Sequence, residues 1–235
     1  MPLLIRAHSG MNFPESEQAP DTDKFTARFM VRPNGTRLDL TAAGKQDKSG
    51  LLRGEAAAAG VYLVAVQTAP RILTLEAGQF NDYLVADGLP HIYRLRAKEG
   101  MLHEAGKERY SKSPKALFRV GQGGAGDPCR VLGLPLEIVP LRDPFQLKPG
   151  DTLPVRVLFQ EKPLADANLG WDLPHDGDAP SGTVRTNAKG EALVPIAQTG
   201  LITIRLTHMT RPKTAEYEWE SFWTTLTFWI PEAGR

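Results

Sequence analysis

The stretch PGDTLPVRVLFQEKPLADANLGW, Pro149 to Trp171, decides the fold. Leu153, Val155, Val157 and Phe159 alternate with Pro154, Arg156 and Leu158, close to the period of two that a strand requires. Gln160-Glu161-Lys162 supplies a turn, and Pro163 to Trp171 resumes as a second extended run. Beyond it, TNAKGEALVPIAQTGLITIRLTH (Thr186 to His208) gives a turn at Asn187–Gly190, a strand, a turn at Gly200 and another strand. The tail TAEYEWESFWTTLTFWIP follows, with Trp219, Phe222 or Trp223, Leu226, Phe228 and Ile230 as its apolar set and β-branched threonines between them. Such a strand belongs in the middle of a sheet. The whole back half reads as an antiparallel sandwich of short strands.

The same pattern runs backwards into the first half. Leu3–Ala7, Lys24–Arg32, Arg37–Leu40, Ser49–Glu55, Val61–Thr68 and Ala116–Val120 are each strand-like, and Pro33-Asn34-Gly35-Thr36 makes a hairpin turn between the second and third. Short strands at this spacing predict an immunoglobulin-like sandwich. Between Leu75 and Lys98 the period changes. Phe80, Tyr83, Leu84, Leu89, Ile92, Tyr93 and Leu95 fit helices, with a break at Gly88-Leu89-Pro90. GMLHEAGKERYSKSPK (Gly100 to Lys115) is too polar to show a pattern and reads as a connector. Gly121 to Pro128 has linker composition, or that of an exposed hairpin loop, and strand-like LGLPLEIVPL (132–141) follows directly.

Composition narrows the function classes. The 235 residues, 41% hydrophobic and 23% charged, suit a globular protein with real cores. A net charge of +1, with no basic stripe, offers nothing to a nucleic acid. With Cys129 the only cysteine, an intrachain disulfide cannot form. No apolar run is long enough to span a membrane, and no signal peptide is visible after Met1. The expectation is that an export signal precedes the mature chain and is missing from this sequence.

Four blocks in register, ERYSKSPKALFRVG (108–121), LGLPLEIVPLRDPF (132–145), PGDTLPVRVLFQEKPLADA (149–167) and HMTRPKTAEYEWESFWTTLTF (208–228), resemble a bacterial domain-of-unknown-function family. That family includes the NikM-like periplasmic components of nickel and cobalt uptake systems. The resemblance implies a periplasmic or secreted protein with a prealbumin-like C-terminal sandwich, an association with divalent metal transport, and a partner that is a membrane transporter component or another extracytoplasmic protein. Relatives carry a His-Asp-Phe-Trp leader that this chain lacks, so a metal role resting on that histidine does not transfer.

Candidate sites follow from residue chemistry. No two of the five histidines stand within five residues, so a metal site must be assembled by the fold. His8 and His208, both at strand ends, with a carboxylate, are one candidate set. Asp172, His175 and Asp176, in the loop WDLPHDGD with Asp178, are a denser one able to hold a hard or borderline cation. The alternative for the histidines is that they are loop residues or satisfied core neighbours, and for the aspartate-rich loop that it is a solvated turn. Glu108, Arg109, Tyr110 and Lys115 form a compact polar set after the helices. They serve either as an anion pocket or, pairing Glu108 or Glu104 with the cations, as the anchor of the helical insert. Catalytic signatures are weak: Ser9 and His8 are strand neighbours facing opposite ways, and GQGGAG lacks the Lys-Ser/Thr of a phosphate loop.

The expectation is therefore mainly β: two immunoglobulin-like or prealbumin-like sandwiches, residues 1–140 with a helical insertion over about 75–113, and residues 141–235. The expected function is a non-enzymatic extracytoplasmic binding or transport-accessory protein for divalent nickel or cobalt. The alternative is a structural or adhesive module without a small-molecule ligand.

Overall fold

One long sheet runs through the molecule, and its central strand comes from the end of the chain. The computed structural model describes residues 1–10, 14–172 and 181–231. In order, its elements are β1 (Pro2–Ala7), β2 (Phe25–Val31), β3 (Arg37–Asp39), β4 (Thr41–Gln46), β5 (Ser49–Glu55), β6 (Gly60–Thr68), β7 (Arg71–Leu75), α1 (Ala77–Ala86), α2 (Pro90–Lys98), β8 (Gly106–Lys112), β9 (Lys115–Val120), β10 (Leu136–Pro140), β11 (Thr152–Phe159), β12 (Lys162–Pro163), β13 (Asn168–Asp172), β14 (Gly182–Arg185), β15 (Glu191–Pro195), β16 (Gly200–Thr210) and β17 (Trp219–Ile230). Short 3-10 turns cover Thr22–Lys24, Met101–His103 and Pro144–Gln146. The fold is mainly β with two helices, as the strand spacing predicted.

The strands form three sheets. β1-β5-β4 is the smallest; β10, β11, β12 and β15 form the second; the third, ten-stranded, runs β14-β13-β16-β17-β9-β6-β2-β3 with β8 and β7 branching from β17. Both small sheets pack against the large one. The first closes a core of Met30, Leu40, Leu52, Tyr62, Val64 and Val66. The second closes the larger core, where Phe29, Val31, Val61, Leu63 and Leu117 meet Leu136, Ile138, Leu153, Val155, Val157, Ile204, Leu226 and Phe228. Two sandwiches are present, then, but they share a middle layer. β6 shows why: Val61, Leu63 and Ala65 face one core while Tyr62, Val64 and Val66 face the other. A strand covered on both sides reads as the unbroken apolar run VYLVAV.

β17 joins the two halves of the chain. It lies antiparallel to β16 along its whole length, Gly200↔Ile230 to Thr210↔Glu220. Its other edge is parallel to β8, from Trp219↔Glu108 to Trp223↔Lys112, and to β9 at Leu226↔Lys115 and Thr227↔Ala116. Sheet and core both continue across position 140, and β10, which ends there, pairs with β11 of the later half. The segment read as a polar connector holds β8, an interior strand between β7 and β17. Its polar sequence hid it, because its buried neighbours are supplied from far along the chain. The turn after β11 uses Gln160 and Glu161 with φ of 48° and 64°, two left-handed residues in a row. That geometry matches the twist of a two-residue hairpin, and without glycine it carries some strain.

The helices α1 and α2 roof one end of the large sheet over a third core of Phe80, Leu84, Leu89, Ile92, Met209 and Trp219. They approach closely. A Cβ at Gly106 would stand 2.2 Å from the Phe80 ring, so only glycine lets α1 settle there. Arg96, fully buried, holds the hairpin's far end: Nη2 donates to the carbonyls of Met101 (2.7 Å) and Glu104 (2.6 Å), and the guanidinium lies over Phe80. Arg211, from the loop after β16, bridges Glu99 at the end of α2 and Glu218.

Candidate functional site

His8 and His208 do not meet. His8 follows β1 in the smallest sheet, exposed, with Nδ1 3.0 Å from the Pro14 carbonyl oxygen. His208 sits on β16 in the large sheet, its ring edge-on to Phe159 at 4.5 Å, with Phe222 directly across on β17. Each keeps its own partner, His8 in the loop after β1 and His208 against Phe159. Among the described residues, no three His, Cys, Asp or Glu side chains converge as a metal site. Asp172 ends β13 and accepts from Arg205 Nε at 2.7 Å. His175 and Asp176 lie outside the described residues.

The set Glu108, Arg109, Tyr110 and Lys115 is compact in sequence but dispersed in space, because successive strand residues point to opposite faces. Arg109 pairs with Glu220 of β17. Lys115, 2% exposed, turns into the large core, where Nζ lies 2.7 Å from Glu137 Oε1. The Glu137 carboxylate also accepts from the backbone N–H groups of Leu132 (2.9 Å) and Gly133 (3.0 Å). Burial pulls the Lys115 ammonium below its ordinary pKa, and the adjacent carboxylate acts against that. Neither cation pairs with Glu108 or Glu104, so the expected anchor is corrected. These ion pairs tie β9 to β10 and β8 to β17, while Arg96 and Arg211 hold the helices.

Glu108 instead belongs to a polar cluster under α1. It is 1% exposed, and the Tyr83 hydroxyl donates to its Oε2 at 3.1 Å. Ser221 of β17 also hydrogen-bonds it and receives the Trp223 indole N–H at 3.1 Å. Tyr83 and Trp223 stack with centroids 5.6 Å apart, and Lys112 places its ammonium 4.9 Å from the Trp223 ring. Asp87, at the end of α1, accepts from Thr207 Oγ1 at 3.1 Å. Burial raises the pKa of Glu108 and of Asp87 and lowers that of Lys112. Burial, reinforced by the two carboxylates, keeps the Tyr83 phenol protonated and donating. The cluster gathers two carboxyls, a phenol and an amine beneath the helices. Of its members the sequence marks only Glu108 as a site residue, while Tyr83 and Trp223 read as apolar-face positions. A signal was there: Asp87 continues the stripe Phe80, Tyr83, Leu84 at helical spacing, a carboxylate on a buried face.

Residues 4–210, from within β1 to the end of β16, match a family model described as a domain of unknown function, DUF4198. The chain belongs to the DUF4198 family. The matched DUF4198 span includes the helical hairpin and the polar cluster's α1, β8 and β16 members, and β17 lies beyond it. No curated protein matches. Among solved structures, the D0-D1 domain of Intimin is similar at 9% identity and a TM-score of 0.22, covering 98% of this chain and 91% of that one.

Proposed function

We propose that this DUF4198 chain is a non-enzymatic binding or transport-accessory module that works outside the cytoplasm, in the periplasm or after secretion. The observation that supports this is the use made of its buried charges. Lys115 with Glu137 and Arg96 with the carbonyls of 101 and 104 fasten layers to one another. Buried ionic contacts fix geometry more than they add stability. That use of charge suits a rigid platform that presents a surface to a transporter component or to another extracytoplasmic protein.

Divalent nickel or cobalt is the cargo suggested by the sequence resemblance, with Asp172, His175 and Asp176 as the candidate ligands. Tag-free, chelator-stripped protein titrated calorimetrically with nickel or cobalt chloride tests this. Saturable binding that His175→Ala and Asp172→Asn weaken supports it. No uptake above buffer removes the metal from the proposal. A binding screen that returns only a protein partner moves the assignment to a structural or adhesive module. Recovery of the full-length protein from the cytosol on cell fractionation overturns the location.

A further inference from the structure

β7 is an edge strand with little to guard it. β8 takes one of its edges, from Arg71↔Tyr110 to Leu75↔Gly106, and among the described residues no strand takes the other. The strand contains no proline or bulge, and residues 71–74 are exposed on both faces. Ile72 is 45% and Leu73 38% exposed. A row of unpaired backbone N–H and C=O groups between apolar side chains is a template for a further strand.

The charges beside it say what kind of strand. Arg71 and Lys107 are both exposed, and among the described residues neither takes part in an ion pair. Alternation sends Arg71 and Leu73 to the face carrying Tyr110 and Glu108, and Ile72 and Thr74 to the face carrying Arg109 and Lys107. A chain laid along the open edge therefore meets Arg71, two apolar side chains and then Thr74, with the Lys107 side chain on the same face one strand further in.

We propose that β7 is a docking edge for an extended acidic segment of a partner protein, which adds to the sheet with apolar side chains over Ile72 and Leu73 and carboxylates toward Arg71 and Lys107. The inference goes beyond the metal question and does not depend on it.

The required pattern, acid-apolar-apolar-acid, is the same in both chain directions. A fluorescein-labelled peptide Ser-Gly-Glu-Val-Val-Glu-Gly-Ser is therefore a direct probe for either orientation. Fluorescence anisotropy is expected to show saturable binding to the full chain, none of the peptide with Lys in place of Glu, and a loss of about tenfold in Arg71→Glu. N-methylation of both valines is expected to abolish binding, since one of two adjacent N–H groups always faces β7. Arg71→Glu and Ile72→Lys change exposed side chains, and circular dichroism confirms their folding. Four results would overturn the proposal: no saturable binding, equal binding of the lysine peptide, undiminished binding of the N-methylated peptide, or a dimer in light scattering that Ile72→Lys dissolves. The last would mean that a second copy of the chain occupies the edge.

Discussion

His208 makes the stability of this protein depend on pH in a way that can be calculated and checked. Its imidazole lies against Phe159, which Phe222 packs in turn at 4.9 Å. Burial, followed by the nearby His91, lowers its pKa from 6.5 to about 4. A histidine depressed in the folded state stabilises the fold while it is neutral in both states. That stabilisation is present above pH 6.5 and is lost as pH falls toward 4, where the unfolded chain takes up the proton first. At about 1.4 kcal/mol per pH unit, and discounting for partial exposure, the loss is about 2–3 kcal/mol. Urea unfolding of the wild type and His208→Leu at pH 7.5, 6.5, 5.5 and 4.5 isolates it. Asp87, Glu108 and the other acids titrate in both proteins and cancel in the difference. The difference is expected to move in favour of leucine by about 2–3 kcal/mol across that range, whatever its starting value at pH 7.5. A difference constant to within about 0.5 kcal/mol would refute the reasoning, because His208 would then be titrating as if in water.

Lys115→Met is expected to cost about 3–5 kcal/mol by stranding the Glu137 carboxylate in the core, and Lys115→Met combined with Glu137→Gln to recover part of that, read from urea midpoints. Glu108 has its pKa raised by burial, so its stabilising contribution is present at low pH and lost as pH rises through the folded value. Glu108→Gln should therefore gain on the wild type as pH goes from 4 to 8; an unchanged gap would mean that Glu108 is solvated. Arg96→Ala removes the donor to two carbonyls and should cost about 2–4 kcal/mol, with faster limited proteolysis between α2 and β8. Phe228→Ala should cost about 3–5 kcal/mol and its neighbour Trp229→Ala, 56% exposed, under about 1 kcal/mol, as measured by thermal melts.

The elements legible in the sequence are those whose side chains answer to local pattern. β11 and the turn after it, the hairpin of β2 and β3, both helices with their glycine break, and the central place of β17 all follow from period and turn chemistry. β8 does not, since GKERYSK shows no apolar alternation. Its Glu108 is buried by Tyr83 from α1 and Ser221 from β17, neither a sequence neighbour. The same applies to the candidate sites. Sequence proximity grouped Arg109 with Lys115, but their partners Glu220 and Glu137 come from two different sheets. Arg96 looks like one more cation on a polar helix until the loop folded back over it supplies two carbonyls for it to cap.

The parallel seam between β17 and the pair β8 and β9 sets the order in which a newly made chain can fold. As the first half leaves the ribosome, those two strands have no neighbour on that side, and the roof of helices has no Trp219 to rest on. The seam closes only when a partner some hundred residues further along the chain is in place, a long-range pairing of the kind that slows folding.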